Sequence, residues 1–164
     1  MGFWRKINYW KIMGMLCAST VGWSCQRDVQ YEAYHNFQGM YWHADSVVYF
    51  QFEVEDVSKP YDLSYRVRNS LAYPYYNLYI KYELSGETGQ IIRANMHEAI
   101  LMEPKTGKPL GVGVGDLYDH KILLLENMRF EAPGIYRFSM NQYMRPDSLP
   151  SIFAVGVTLE PVKP

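Results

Sequence analysis

Val47-Val48-Tyr49-Phe50-Gln51-Phe52-Glu53-Val54 decides the fold. Its even positions Val48, Phe50, Phe52 and Val54 are apolar while Gln51 and Glu53 fall between them, the period of two that a strand with one buried face produces. The pattern recurs outward from there. Tyr61, Leu63, Tyr65 and Val67 alternate with Asp62, Ser64, Arg66 and Arg68; Tyr76, Leu78, Ile80, Tyr82 and Leu84 alternate with Asn77, Lys81 and Glu83. Late in the chain Tyr136, Phe138 and Met140 repeat it, then Phe153, Val155, Val157 and Leu159. Residues Gln90 to Met102 alternate weakly and Ile122 to Leu125 form a short apolar run, but turn residues bracket both. Ser85-Gly86 and Gly89 precede the first, and the series Gly111, Gly113, Gly115 precedes the second, so both read as strands. With no amphipathic helix between them, these segments predict an all-β chain. The expected architecture is an antiparallel β-sandwich, jelly-roll or immunoglobulin-like, of about seven to eight strands.

Composition agrees with one such domain. The chain has 164 residues, 48% apolar and 20% charged, which excludes disorder as a description of the whole. Sixteen Lys and Arg against 17 Asp and Glu leave no basic excess, so nucleic acid is not an expected partner. Fifteen tyrosines suit half-exposed strands, being amphipathic and good strand formers.

The N-terminus reads as a leader. Arg5, Lys6 and Lys11 occur without an acid before an uncharged run from Ile12 to Trp23. That run is too short for the roughly 20 residues of a membrane span. Ser24 stands directly before Cys25, with Gly22 three residues ahead, as in a lipoprotein signal whose cysteine is acylated with chains such as palmitate and becomes the mature N-terminus. The alternative is ordinary cleavage after an earlier small residue such as Ala18, leaving Cys25 a free thiol. In either case Cys25 has no disulfide partner, because Cys17 lies inside the leader. Without the leader, 13 basic residues face 17 acidic ones, so a lipid anchor and not a basic surface would hold the domain to a membrane. The expected organisation is a signal peptide over 1–24, a lipidated N-terminus and tether over 25–45 that joins the fold near Trp42, and the sandwich over 46–164.

Familiar catalytic motifs are missing. His97-Glu98 lacks the second histidine of a helical zinc motif, no Gly-x-Ser-x-Gly elbow occurs, and the Gly111–Gly115 series lacks the Lys-Ser/Thr of a phosphate loop. Asp116, Asp119 and His120 could in principle hold calcium, but Asp with Gly is ordinary turn chemistry. No enzyme activity, cofactor or small-molecule substrate is expected. In the run Tyr73-Pro74-Tyr75-Tyr76-Asn77-Leu78-Tyr79, Tyr76 shares parity with Leu78 and Ile80 and reads as buried, with Tyr73, Tyr75 and Tyr79 on the opposite face. Exposed, those rings would make a stacking platform for sugars; otherwise they are packing.

Three segments in order carry a resemblance: Val67-Arg68-Asn69 with Tyr73-Pro74-Tyr75-Tyr76-Asn77-Leu78, then Gly111-Val-Gly-Val-Gly115-Asp116-Leu117-Tyr118-Asp119, then Met144-Arg145-Pro146-Asp147-Ser148-Leu149-Pro150-Ser151-Ile152. With the leader and single domain, the chain resembles the GldH gliding-motility lipoproteins across Cys25 to Val162. It departs at Pro109-Leu110, where many members are expected to carry a Trp. The resemblance implies a non-enzymatic envelope lipoprotein that acts with other gliding or secretion envelope proteins and is associated with type IX secretion.

Arg68 and Asn69 end an alternating strand and read first as a corner. Arg145 and Asp147 flank Pro146 and are expected to brace the last connection. Together with Tyr73, Tyr75, Asp116 and Asp119 they are the candidate partner or loop contacts. The leading reading is a lipid-anchored interaction module; the alternative is a surface glycan-binding lipoprotein, with a glycan hydrolase more distant. Gln26-Arg27-Asp28-Val29 holds one acid, where a surface-exported lipoprotein often has an acidic run, which favours a periplasm-facing location.

Overall fold

The alternation around Phe52 and its repeats become strands in register. The computed structural model describes residues 29–163, so the signal peptide and Cys25 lie outside the described residues. Within them the chain forms β1 (Tyr31–Asn36), β2 (Tyr41–His43), β3 (Val48–Val54), β4 (Tyr61–Ser70), β5 (Asn77–Ser85), β6 (Ile91–Ile100), β7 (Val112–Val114), β8 (Leu117–Met128), β9 (Gly134–Gln142), β10 (Ser148–Pro150) and β11 (Ile152–Pro161). All pairings are antiparallel.

One sheet runs β1-β11-β4-β8-β7 and the other β3-β9-β5-β6, with β10-β2 a short ribbon beside them. Setting aside the three-residue strands, chain order crosses between the two sheets at every step except the β5–β6 hairpin. That winding is a jelly roll, which resolves the choice left open by sequence. Tyr65, Val67, Val157 and Leu159 from one sheet and Phe52, Leu78, Ile80 and Phe138 from the other fill the space between them, all buried.

Residues 31–36, part of the segment read as a tether, form β1, a full partner of β11. Tyr34 conceals this in the sequence. It sits on the solvent side of β1, where its ring lies on Gly156: a Cβ there would stand 2.7 Å from Tyr34 Cδ1. The chain therefore joins the core ahead of Trp42, through Tyr31 and Ala33 of β1; Trp42 is itself buried, stacks on Phe37 and donates from Nε1 to Ser46 O at 2.9 Å.

The glycine series is a hairpin. Gly115, at φ +62°, takes the first central position of the two-residue turn between β7 and β8, a place that favours glycine. Gly113 lies beneath Tyr118, and Gly111 packs on Asp119 O and the His120 ring so closely that a Cβ at either would collide.

Candidate functional site

The outer face of the five-stranded sheet carries the densest polar arrangement. Register sets its rows: Tyr34, Gly156, Arg66 and Lys121 lie across β1, β11, β4 and β8, and the next row runs Asn36, Ala154, Arg68, Asp119 and Val112. Asp119 accepts from Arg66 Nη1 at 3.0 Å and Arg68 Nη2 at 2.9 Å. Arg66 Nε also reaches Glu32 at 3.1 Å and Thr158 Oγ1 at 3.2 Å, Lys121 pairs with Glu160, and the Arg68 guanidinium lies 5.5 Å from the Tyr34 ring centre. Burial, then the Asp119 charge and the bond Tyr34 donates to Glu32, push the Tyr34 phenol up to about 12. The network is self-compensated and partly wet, so each pair contributes only about 0.2–1 kcal/mol. It fixes side-chain positions more than it stabilises the fold.

Beside it the hairpin presents apolar side chains to water. Val112 and Val114 face outward with Asp119 and Leu117 and are 84% and 89% exposed; Leu110 and Leu71 stand exposed nearby. Leu71 N–H donates to Asp116 O at 3.0 Å, tying the β4–β5 turn to the hairpin tip.

The candidate contact residues separate on this frame. Arg68 and Asp119 are joined on the outer face, and Asp116 is exposed in the hairpin turn. Asn69 is buried, donating to Ser70 O, with its Oδ1 unpaired; on the neighbouring strand buried His120 has an unpaired Nε2. Asp116, Asp119 and His120 do not converge, since neighbours along a strand face opposite sides. Among the described residues no group of three or more His, Cys, Asp or Glu could hold a metal.

The tyrosine run is placed differently from its parity. Tyr73 is 3% exposed and donates to Asn77 O at 2.8 Å, whereas Tyr76 is 46% exposed. Strand β5 starts only at Asn77, so alternation cannot be extended back through the turn before it. Tyr75 is half-buried, edge-on to Tyr73 at 5.8 Å, and these rings form no open platform.

The last connection is braced from inside. Arg145 and Asp147 side chains are exposed and make no ion pair or hydrogen bond among the described residues. Buried Gln142 does the bracing instead, donating to Pro146 O at 3.0 Å and accepting from Met144 N–H at 2.7 Å, while Asp147 O takes Ala44 N–H. Sequence reading missed Gln142, although a glutamine in phase with Phe138 and Met140 marks an inward polar group that needs partners.

A groove of about 870 Å³ opens at the far side of the sandwich, between the start of β6 and the end of β8. Ile92, Leu124, Leu125 and Phe130 line its floor and Glu87, Arg93 and Glu126 its rim.

The GldH lipoprotein family model matches residues 29–159, the jelly roll almost from end to end. The chain belongs to the GldH lipoprotein family. It is 34% identical over 122 residues to a gliding motility lipoprotein GldH homolog of Christiangramia forsetii, covering 74% of this chain and 73% of that one. It is 28% identical over 146 residues to the gliding motility lipoprotein GldH of Flavobacterium johnsoniae, covering 88% and 89%. Among solved structures, an arabinose-bound α-L-arabinofuranosidase aligns at TM-score 0.35 and 11% identity, covering 71% of this chain but 17% of its own length, too loosely to bear on function. The family places the chain among gliding-motility lipoproteins of the envelope.

Proposed function

We propose that this family member is a non-enzymatic, lipid-anchored protein interaction module of the gliding and type IX secretion machinery, held by acylated Cys25 and facing the periplasm. The observation that carries the reading is the β7–β8 hairpin. Its two valines are almost wholly exposed on a backbone fixed by Gly111, Gly113 and Gly115, beside a pre-ordered Arg–Asp network. A rigid apolar corner rimmed by polar groups suits docking to a protein surface.

The test is a crosslinked pull-down of the tagged lipoprotein from its own membranes, comparing wild type with Val112→Asp/Val114→Asp. Recovery of other gliding or secretion envelope proteins should fall in the double variant, as should motility or cargo release, with Tm unchanged. Undiminished recovery and unchanged motility and secretion would refute the reading. Mass spectrometry of the mature N-terminal peptide tests the anchor separately; an unmodified Cys25 would remove it.

A further inference from the structure

The groove between β6 and β8 is where the jelly roll fails to close. Strand β8 is 12 residues long, yet β7 covers only Leu117 to Asp119, leaving its edge from 120 to 128 without a strand partner among the described residues. Alternate residues of that stretch turn N–H and C=O groups away from β4 into the opening. Across from it, inward positions Arg93 and Asn95 of β6 are exposed, and Ile122, Leu124 and Leu125 of β8 are only half covered. The gap is shut at one end, where Leu110 N–H donates to Leu101 O at 2.9 Å and Met102 bridges Pro109, and open at the other.

The two free edges differ. Asn95 Oδ1 accepts from Met96 N–H at 2.8 Å, so the middle of β6 is blunted by its own side chain. Among the described residues no side chain caps the β8 edge in this way; Asp62 takes Asn127 N–H from the β4 side. Charge then narrows the occupant. Glu87, Glu126 and Glu131 line the opening without an ion pair among the described residues. Arg129 is turned to Ser58 O and Arg93 to Ile92 O, neither pairing with these carboxylates, so three carboxylates against two guanidiniums leave the opening a net negative charge above an apolar floor.

We infer that the groove receives an extended, cationic segment of a partner polypeptide, which adds to the free edge of β8 as a strand continuing the line of β7. Its backbone pairs with residues 120–128, one set of alternate side chains covers Ile92, Leu124 and Leu125, and its Lys or Arg residues meet Glu87, Glu126 and Glu131. This site is separate from the outward valines of the hairpin, and the two are tested separately.

The probe is an alternating lysine–valine peptide, titrated into the full-length lipoprotein in detergent and followed by hydrogen exchange. Saturable binding should slow amide exchange within 120–128 and disappear when the peptide is N-methylated throughout. Glu126→Lys/Glu131→Lys should weaken binding by about tenfold or more, whereas Val112→Asp/Val114→Asp should leave it unchanged. Four results would each overturn the inference: no saturable binding, equal binding of the N-methylated peptide, protection at 91–100 in place of 120–128, or self-association of the chain that protects 120–128 without peptide.

Discussion

The two long sides of this sandwich are built on opposite plans. On the side of β1 and β3, rings knit the sheets together: Tyr31 of one sheet lies 5.6 Å from Phe52 of the other, Phe52 stacks on its strand neighbour Tyr136 at 6.3 Å, and Phe130, 4.4 Å from Tyr136 and 5.7 Å from Tyr61, bridges the sheets where the cluster meets the end of the groove. On the side of β6 and β8 the facing positions are Asn95, Arg93 and half-covered aliphatic residues, and the sheets part into a groove. Large rings span the gap between sheets and exclude water; short or polar side chains cannot. One side therefore holds the fold, and the other is left free to bind.

The largest expected effect tests the closed side. Phe52 is buried among Tyr31, Phe130 and Tyr136, so Phe52→Ala removes the centre of the aromatic cluster and leaves a cavity. It should lower stability by about 3–5 kcal/mol in urea unfolding. A loss under about 1 kcal/mol would mean that the cluster does not lock this side.

Next comes the loop that leads into the final strand. Gln142→Ala strands Met144 N–H and Pro146 O and should cost about 2–3 kcal/mol. Arg145→Ala and Asp147→Ala, exposed, should each change stability by no more than about 0.5 kcal/mol. Parallel denaturation of the three variants checks the order, and the reverse order would return the bracing role to the residues flanking Pro146.

Most of this scaffold was legible. Strands β3, β4, β5, β9 and β11 all lie where alternation put them, because each has one face in the core and period two reports that directly. β1 escaped because Tyr34 is a large ring on the solvent side, made tolerable by Gly156 one strand away, and a cross-strand vacancy leaves no mark in local sequence. β7 escaped because its glycines serve packing against Tyr118 and His120 while its valines point to water, the inverse of a core strand. The Arg68–Asp119 pair joins residues 51 apart, and the groove is a property of how two sheet edges diverge. Neither has a one-dimensional signature.

A smaller effect comes from His120, buried on β8 under Gly111. Burial holds its imidazole below the ordinary 6.5, against the opposing pull of Asp119. Below about pH 6.5 the unfolded chain takes up a proton that the native chain resists, so stability from this group is full above that pH and is lost as pH falls toward the native value. His97, held down by burial and bonded at Nδ1 to Tyr65 Oη at 3.0 Å, acts in the same sense. Melting temperature should therefore drop on acidification, and His120→Gln should flatten the profile. A profile identical to wild type would show that the open half of the molecule does not shield this ring.

The smallest effect is expected on the open side, and it bears directly on the contrast. Leu124 packs on the core from the floor of the groove but is only half-buried, so Leu124→Ser gives up part of an apolar contact already shared with water. Its cost should be about 1 kcal/mol or less, since removing half-exposed apolar area forfeits only part of a full burial term and leaves no enclosed cavity. The comparison is with Phe52→Ala in the same denaturant series. If Leu124→Ser destabilised the chain as much as Phe52→Ala, the side of β6 and β8 would be closed and structural in solution. If it were nearly neutral, the apolar floor would be kept for a reason other than holding this chain together, because an isolated sandwich gains little from leaving leucines at an open seam.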